Sequence, residues 1–241
     1  MLHTTRGIIL HTLPYNDRYM IVHAYTEISG RTAYLVPRNR GRKSNVSHAL
    51  FMPLSVLEME VEHQNNRDLQ RIKETKVCYL QHSIASHPVK NLIALFIAEV
   101  LYRTARTKDS DSPLFNFLYD SIRWLELSVD GVANFHLVFL IRLARYLGVF
   151  PNAENYHPGY FFDLLNGVFT PILPVHRHFL NETESIIFFR LLRINYENMA
   201  VYSFSRRERL HIIRRILEYY RLHLSDFQEI KSLSVMQSLF D

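Results

Sequence analysis

Cysteine is almost absent from this chain, because Cys78 is the single one among 241 residues. A lone cysteine forms no intrachain disulfide and supplies no zinc cage built of cysteines. One cysteine in a chain of this length is typical of a reducing compartment. Residues 1–6 also lack the apolar core of a secretion signal. We therefore expect a cytoplasmic protein.

Long apolar runs and catalytic motifs are lacking as well. Lys90 and Glu99 interrupt the apolar stretch of residues 91–98, and no stretch reaches the roughly 18 to 20 residues that a membrane-spanning helix needs. Lys43-Ser44 resembles the end of a P-loop, but the glycines of that motif are missing. Neither Gly-x-Ser-x-Gly nor His-Glu-x-x-His occurs. These absences predict a protein that is not an enzyme.

A metal site is not indicated either. His176 and His178 could lie on one side of a strand, but no cysteine or suitably spaced carboxylate accompanies them. We interpret them as a pair of loop histidines and expect no metal and no cofactor.

What the chain does have is a concentrated basic segment, residues 36–44. Arg38, Arg40, Arg42 and Lys43 lie there without an acid among them, and Gly41 favours a loop. Guanidinium groups on a loop suit a phosphate backbone, although a solvated surface is the alternative. The net charge of +5 and a sequence pI of about 9.3 favour an anionic partner.

The hydrophobic pattern of the first 80 residues is that of short strands. The predicted strands cover residues 7–13, 19–26, 32–36, 54–63 and 69–77. In the fourth, Leu57, Met59 and Val61 alternate with three glutamates, so these apolar residues should face a core. Five short strands predict a small closed barrel, since closure leaves no exposed edge. Together with the basic loop, this predicts an OB-fold that binds single strands.

From about residue 80 the period becomes helical. Ser112-Pro113 predicts a helix start with Ser112 as its cap, and another helix is predicted from about 132 to 147. Ser205 with Glu208 forms a capping box. Asn166-Gly167 predicts a hairpin turn. The predicted fold is therefore α+β: an OB-fold nucleic-acid-binding domain over 1–79 and a mainly helical domain over 80–241, with a small hairpin at about 150–180.

The last long predicted helix carries a second basic face. Arg207, Arg214 and Arg221 recur every seven residues, so they share one side of the helix. This face is either a solvated surface opposite a packed stripe or an anion-binding surface.

Motifs spread along the chain resemble a known family. They are Gly7-Ile8-Ile9-Leu10, Tyr25-Thr26-Glu27-x-x-Gly30-Arg31, the basic loop ending in Lys43-Ser44, residues 96–102, Arg145-Tyr146-Leu147-Gly148-x-x-Pro151, Tyr219-Tyr220-x-x-His223-Leu224 and Lys231-Ser232-Leu233-x-Val235. In this order and spacing they resemble the bacterial recombination mediator family RecO, over nearly the whole length.

The resemblance implies an OB-fold followed by a helical domain, in a bacterial protein associated with the nucleoid. It implies binding of single- and double-stranded DNA, annealing of complementary strands, and cooperation with RecR. It also implies contact with the acidic, apolar C-terminal tail of single-strand-binding protein and help in loading RecA onto coated DNA. Many members carry a four-cysteine zinc module near residues 150–180, where this chain has no cysteine. We expect aromatic packing to take its place.

The candidate site residues follow from these considerations. DNA contacts are predicted at Arg38, Arg40, Arg42 and Lys43, with Arg6 and Arg31 adding charge, and Arg207, Arg214 and Arg221 form a possible second face. Arg142 and Arg145 are candidates for the rim of a pocket for the partner tail. A sequence-specific nucleic-acid regulator on the same barrel, or a protein adaptor without annealing activity, are the alternative functions.

Overall fold

The computed structural model describes residues 2–38, 48–64 and 66–238. The chain forms two compact units. One comprises Met1–Leu127 together with Ile230–Asp241, and the other comprises Ser128–Glu229.

The first unit contains a closed five-stranded barrel. Its strands are β1 (Leu2–Pro14), β2 (Tyr19–Thr26), β3 (Gly30–Pro37), β4 (Val56–Glu62) and β5 (Leu69–Val77). They are ordered β1-β2-β3-β5-β4, with β4 paired back to β1. The β3–β5 pair is parallel and the other neighbours are antiparallel. The predicted OB-fold barrel is confirmed. β4 starts two residues later than predicted, because Leu54 has a φ of 62° and cannot extend the strand.

The alternation along β4 places the barrel core as predicted. Leu57, Met59 and Val61 are fully buried, whereas Glu58 is exposed. The core is completed by apolar residues of the other strands, among them Ile9, Met20, Val22, Ala24, Tyr34, Val36 and Ile72. Each large buried side chain contributes roughly 1.5–3 kcal/mol, so these apolar residues supply much of the stability of the barrel.

The turn between β2 and β3 depends on a glycine. Gly30 has a φ of 53°, and a Cβ there would lie 2.5 Å from the carbonyl oxygens of Thr107 and Asp109. A side chain would therefore be both strained and crowded. This turn brings Arg31, the first residue after it, against the segment that follows the second helix of this unit.

Seven α-helices follow the barrel in the described part of the chain. They are α1 (His82–Ser86), α2 (Pro88–Thr104), α3 (Ser112–Leu127), α4 (Phe135–Tyr146), α5 (Glu182–Leu191), α6 (Arg206–His223) and α7 (Ser232–Ser238). None of the helices within these described ranges combines the length and apolar character that a membrane crossing requires.

Carboxylates and hydroxyls cap several of these helices. Ser205 and Glu208 form the predicted capping box of α6. The predicted cap of α3 is wrong by one residue, because the Asp111 carboxylate, not Ser112, accepts the N–H of Leu114 at 2.9 Å. Asp carries a full charge that also complements the positive end of the helix dipole, so it outcompetes the neighbouring hydroxyl.

The second unit packs α4, α5 and α6 with a small sheet. The sheet consists of β6 (Phe161–Asp163), β7 (Val168–Thr170) and β8 (Phe179–Leu180), in the order β7-β6-β8. The predicted hairpin is β6–β7, while β8 was not predicted because two apolar residues show no periodicity. Phe162 lies with Phe169 and Phe188 at ring-centroid distances of 4.8 and 4.6 Å. Tyr156 stacks on Phe189 at 3.8 Å. Aromatic packing therefore stabilises the hairpin. The hairpin lies within residues 150–180, where many family members are expected to carry the zinc module.

Candidate nucleic-acid interface

The basic segment begins where β3 ends. Arg38 is the first residue after β3, its side chain is exposed, and its backbone N–H donates to the carbonyl of Arg18 at 2.7 Å. This hydrogen bond fixes the start of the basic segment beside the β1–β2 turn. Arg40, Arg42 and Lys43, the other predicted contacts in this segment, lie outside the described residues.

Arg18 belongs to a turn that is held by its own side chains. The Asn16 carboxamide oxygen accepts the N–H groups of Arg18 and Tyr19, each at 2.9 Å. The N–H groups of Tyr15 and Asn16 both donate to the Tyr19 carbonyl at 3.1 Å. This side-chain turn restricts the backbone, so Arg18 is held next to Arg38 by an ordered loop. Asp17, also exposed in the turn, contributes an opposing charge.

Exposed aromatic side chains accompany these two arginines. Tyr15 is 57% exposed and Tyr19 is 38% exposed, and Tyr19 pairs with Pro37 across the β2–β3 ladder. Three further aromatic residues of this unit, Tyr25, Tyr34 and Phe51, are buried and so offer no ring to a base. We call Tyr15, Arg18, Tyr19 and Arg38 the barrel-end patch. It combines cationic groups with stacking surfaces, as single-strand binding requires.

Arg6 lies at the other end of the barrel strands and is engaged by the fold. Its guanidinium donates to both carboxylate oxygens of Glu27, at 2.7 and 2.9 Å. It also lies 4.9 Å from the ring centre of Tyr119 and 5.3 Å from that of Phe115. The hydrogen bond to Glu27 raises the pKa of Arg6, and the same bond lowers the pKa of Glu27. The structure therefore gives Arg6 a role in holding the barrel to α3, while its DNA contact stays a prediction.

Arg31, the second residue of β3, is also engaged by a partner within the fold. Its guanidinium donates to the Tyr102 carbonyl at 3.0 Å and lies 5.4 Å from the Tyr102 ring centre. Burial lowers the pKa of Arg31 from its ordinary value. Seven residues of extended strand separate Arg31 from Arg38, or about 23 Å. The structure thus separates the predicted barrel contacts into two groups.

A cavity of about 650 Å³ lies at the Arg31 end of the barrel. Arg67 and Lys108 line it with Arg31, as do Asp68 and Asp109. Lys108 lies 3.7 Å from Asp68, and the Arg31 guanidinium donates to the Tyr102 carbonyl, so two of the three cations of this cavity already have partners within the fold.

Comparisons with known proteins agree along the whole chain. The family model described as "Recombination protein O N terminal" matches residues 1–80, and "Recombination protein O C terminal" matches residues 85–233. Proteins named "DNA repair protein RecO" from Azobacteroides pseudotrichonymphae, Bacteroides fragilis and Phocaeicola vulgatus are 44%, 46% and 46% identical. Each alignment covers 100% of both chains.

This chain belongs to the recombination protein O (RecO) family. The predicted family is confirmed, and the barrel is the OB-fold domain of that family. Membership supports a role in recombinational DNA repair and is consistent with DNA binding.

In this RecO-family chain the arginines of α6 fall into two classes. Arg207, Arg214 and Arg221 are exposed. Arg209 and Arg215 are partly buried and donate to the carbonyl oxygens of Phe204 and Phe179. The structure brings the three predicted members of the second basic face together on one side of α6, and their contact with DNA stays a prediction.

The predicted rim for a partner tail lies on the last two turns of α4. Arg142 is partly exposed, and the exposed Arg145 lies over the ring of Phe150 at 3.7 Å. Phe135 and Leu140 are buried, so the apolar residues of this helix form interhelical core. A groove for the tail must therefore use other apolar groups, and the rim residues stay predictions.

The histidine pair of the sequence is placed against carboxylates. His176 Nε2 lies 3.3 Å from Asp163 Oδ2, and His178 Nδ1 lies 2.8 Å from Glu218 Oε1. Among the residues that the structure describes, no three histidine, cysteine or acidic side chains are grouped to hold a metal ion. The two histidines serve here as links between loop, hairpin and α6. That the protein needs no cofactor remains a prediction.

Arg18, Tyr15 and Tyr19 are not among the DNA contacts predicted from the sequence. The signal that finds them is the order of the first three strands. In an antiparallel meander, the turn after the first strand lies at the same end as the end of the third strand. The basic segment after β3 should therefore have been expected to lie beside the Tyr15–Tyr19 turn.

Proposed function

We propose that this chain is a DNA-binding recombination mediator that binds a single strand at the barrel-end patch and the adjoining basic segment. The observation that carries the proposal is the 2.7 Å hydrogen bond from Arg38 to Arg18. It places two exposed arginines and two exposed tyrosines at one end of an OB-fold barrel. This is the combination by which such barrels grip a backbone and stack bases without reading sequence.

The proposed mechanism is electrostatic and involves no catalysis. Arg38, Arg40, Arg42 and Lys43 neutralise phosphates, which lowers the repulsion between two strands and favours their annealing. Tyr15 and Tyr19 each offer a ring on which a base can stack, worth roughly 1–3 kcal/mol per base. The net charge of +5 supports the same assignment by drawing DNA towards the chain.

The proposed partners follow from family membership. We propose that the chain works with RecR, binds the acidic C-terminal tail of single-strand-binding protein, and so helps to load RecA onto coated DNA. Relatives covering the full chain and named "DNA repair protein RecO" support this setting. The exposed Arg145 and the partly exposed Arg142 remain the proposed basic rim for the tail. Affinity of a labelled tail peptide for Ala variants of both tests that rim.

The first test removes the charges of the basic segment. Replacing Arg38, Arg40, Arg42 and Lys43 by Ala should weaken single-strand binding and flatten its salt dependence. Each lost phosphate contact changes the slope of log affinity against log salt by about 0.7 for single strands, so four contacts change it by about 2.8. Fluorescence anisotropy with a labelled oligonucleotide measures both quantities. A control with the same loss of charge replaces Lys73, Lys76, Arg123 and Arg190, all of them exposed.

The complementary variant tests the tyrosines. Tyr15→Ala with Tyr19→Ala should lower single-strand affinity at every salt concentration and leave the slope unchanged, because stacking releases no counterions. If the double variant binds the single strand as tightly as the wild type at every salt concentration, the barrel-end patch is not the binding surface.

Strand annealing separates the proposal from its alternatives. The wild type should anneal complementary strands of unrelated sequences at similar rates, both in the presence and in the absence of single-strand-binding protein. The basic-segment variant should anneal them poorly in both conditions. Strong preference for one sequence would indicate a regulator. Absence of DNA binding at physiological salt would indicate a protein adaptor.

A further inference from the structure

We propose that α6 carries a second phosphate-binding surface, for the backbone of duplex DNA. It is formed by Arg207, Arg214 and Arg221, which we call the α6 arginine row. The inference rests on the proposed function, because it gives the annealed product a binding surface of its own.

The three arginines of the row lie at regular intervals along one face of a single helix. Seven residues correspond to nearly two helical turns, so neighbouring members are about 10.5 Å apart and the row spans about 21 Å. All three side chains are exposed. The capping box of Ser205 and Glu208 holds the first turn, so the row begins on an ordered helix end.

The arginines of the row differ from their neighbours on α6 in their side-chain partners. Arg215 donates to Glu218 at 2.6 Å and to the Phe179 carbonyl, and Arg209 donates to the Phe204 carbonyl. The side chains of the row form no hydrogen bond or ion pair with any residue in the ranges that the structure describes. The fold therefore uses some arginines of α6 as structural donors and leaves three, at heptad spacing, to a partner.

The acidic groups near the row are occupied as well. Glu208 accepts the N–H of Ser205 at 2.7 Å. Glu218 is held by Arg215 and His178, and Glu184 by His211 at 2.5 Å. Because these carboxylates have partners of their own, they compete weakly for the row. An incoming polyanion is then the partner with complementary charge.

The absence of stacking groups on α6 favours a duplex over a single strand. The aromatic residues of α6, Tyr219 and Tyr220, are both buried on the opposite side from the row. Single-strand sites gain much of their affinity from base–aromatic stacking, which this helix face does not offer. A stiff duplex needs only backbone contacts. At about 3.4 Å per phosphate along one strand, the row spans roughly six base-pair steps.

The test uses the full chain with Arg207→Gln, Arg214→Gln and Arg221→Gln together. The control variant carries Arg123→Gln, Arg190→Gln and Arg193→Gln, which removes the same charge from other exposed positions. A labelled duplex and a labelled single strand are titrated by anisotropy between about 50 and 200 mM salt. Circular dichroism verifies that both variants retain their helices.

The row variant should lose duplex affinity, with a salt slope reduced by about 2.7, since each duplex contact contributes about 0.9. The ratio of wild-type to variant duplex affinity should then fall by roughly 40-fold as the salt concentration rises from about 50 to about 200 mM. Single-strand affinity should change no more than in the control. These results support the row as a duplex site.

Three outcomes overturn the inference. Equal losses in the row and control variants would show an effect of net charge alone. Equal losses for single strand and duplex would remove the duplex assignment. Unchanged duplex binding in the row variant would show that the row is not a phosphate-binding surface. Single-strand binding that depends on the basic segment stands or falls separately, so failure of the row leaves the proposed function intact, and the reverse also holds.

Discussion

At the scale of single residues, the buried histidine of α4 has a strongly lowered pKa. His136 is buried within the second unit, and its pKa is lowered to about 3, first by burial and then by the nearby charge of Arg209. In the first unit, burial followed by the charge of Arg31 lowers the pKa of His23 to about 4. Both rings are therefore neutral in the folded protein at any pH near neutrality.

This burial predicts a loss of stability in mild acid. The unfolded chain binds a proton at each histidine below a pKa of 6.5, while the folded chain does not until far lower pH. The stability that His136 contributes is therefore full above pH 6.5 and falls by about 1.4 kcal/mol per pH unit towards pH 3. His136→Gln should flatten this dependence by nearly one proton. Urea unfolding followed by far-UV circular dichroism at several pH values measures the slope.

The matched control is His87→Gln, since His87 is exposed. The two variants are unfolded over the same pH range, so that a general effect of replacing histidine by glutamine is common to both. An identical slope for His136→Gln and the wild type would contradict the assignment of a neutral buried ring.

Three arginines of the barrel also differ, at the scale of single residues, in whether the fold supplies a partner for their charge. Arg6, Arg31 and Arg38 are equivalent as charges in the sequence. In the fold, Arg6 pairs with Glu27, Arg31 donates to the Tyr102 carbonyl, and Arg38 remains exposed beside Arg18. The partners of the first two are 21 and 71 residues distant. No local pattern could have distinguished the three.

At the scale of elements, the β6–β7 hairpin shows how local signals and tertiary packing coincide. Asp163 accepts the N–H groups of Leu165 and Asn166, at 2.8 and 3.0 Å. Gly167 closes the turn with a φ of 69°, and a Cβ there would lie 2.9 Å from the Tyr219 hydroxyl. The Asn-Gly pair was sufficient to predict the turn, but the approach of α6 was not.

Two glycine substitutions separate these contributions. Gly159 has a φ of 86° and open space around the position of a Cβ, so Gly159→Ala should cost about 1–2 kcal/mol from backbone strain alone. Gly167→Ala should cost more, because the Tyr219 hydroxyl must also move. The free energy of unfolding in urea, compared between the two variants, measures the difference. Equal costs would show that the hydroxyl moves freely.

At the scale of the whole molecule, the C-terminal segment returns to the unit that contains the barrel. Glu99 of α2 accepts the N–H groups of Lys231 and Ser232, at 3.0 and 2.8 Å. Burial alone would raise the pKa of Glu99, but these hydrogen bonds together with Arg103 lower it. Ile230 and Met236 are buried. The two ends of the chain are thus parts of one compact unit.

Truncation tests this dependence. Removing residues 230–241 should destabilise the first unit by on the order of 3–5 kcal/mol, through the lost burial of Ile230 and Met236. Trp124, the single tryptophan of the chain, lies in α3 of this unit, so its fluorescence reports urea unfolding there. The control is Lys231→Ala, which should have little effect, because this side chain is exposed and the backbone N–H that donates to Glu99 is retained. A shared midpoint for the truncated chain and this control would contradict a stabilising role for the C-terminal segment.

The sequence by itself determined the elements whose signals are local. The alternation along β4 predicted the inward face of the barrel, and the Ser205 and Glu208 pair predicted the start of α6. Motif order predicted the RecO family. Period-two and period-3.6 patterns and end caps involve residues within a few positions, so they are visible in a single chain.

Only the tertiary structure decided which charges are free. It placed Arg38 beside Arg18 and left Arg207, Arg214 and Arg221 exposed, and it engaged Arg6, Arg209 and Arg215 within the fold. It also brought α7 back to Glu99 across more than 130 residues of sequence. A charge binds a ligand only where folding has not already supplied its partner, and that partner is chosen by packing between distant segments.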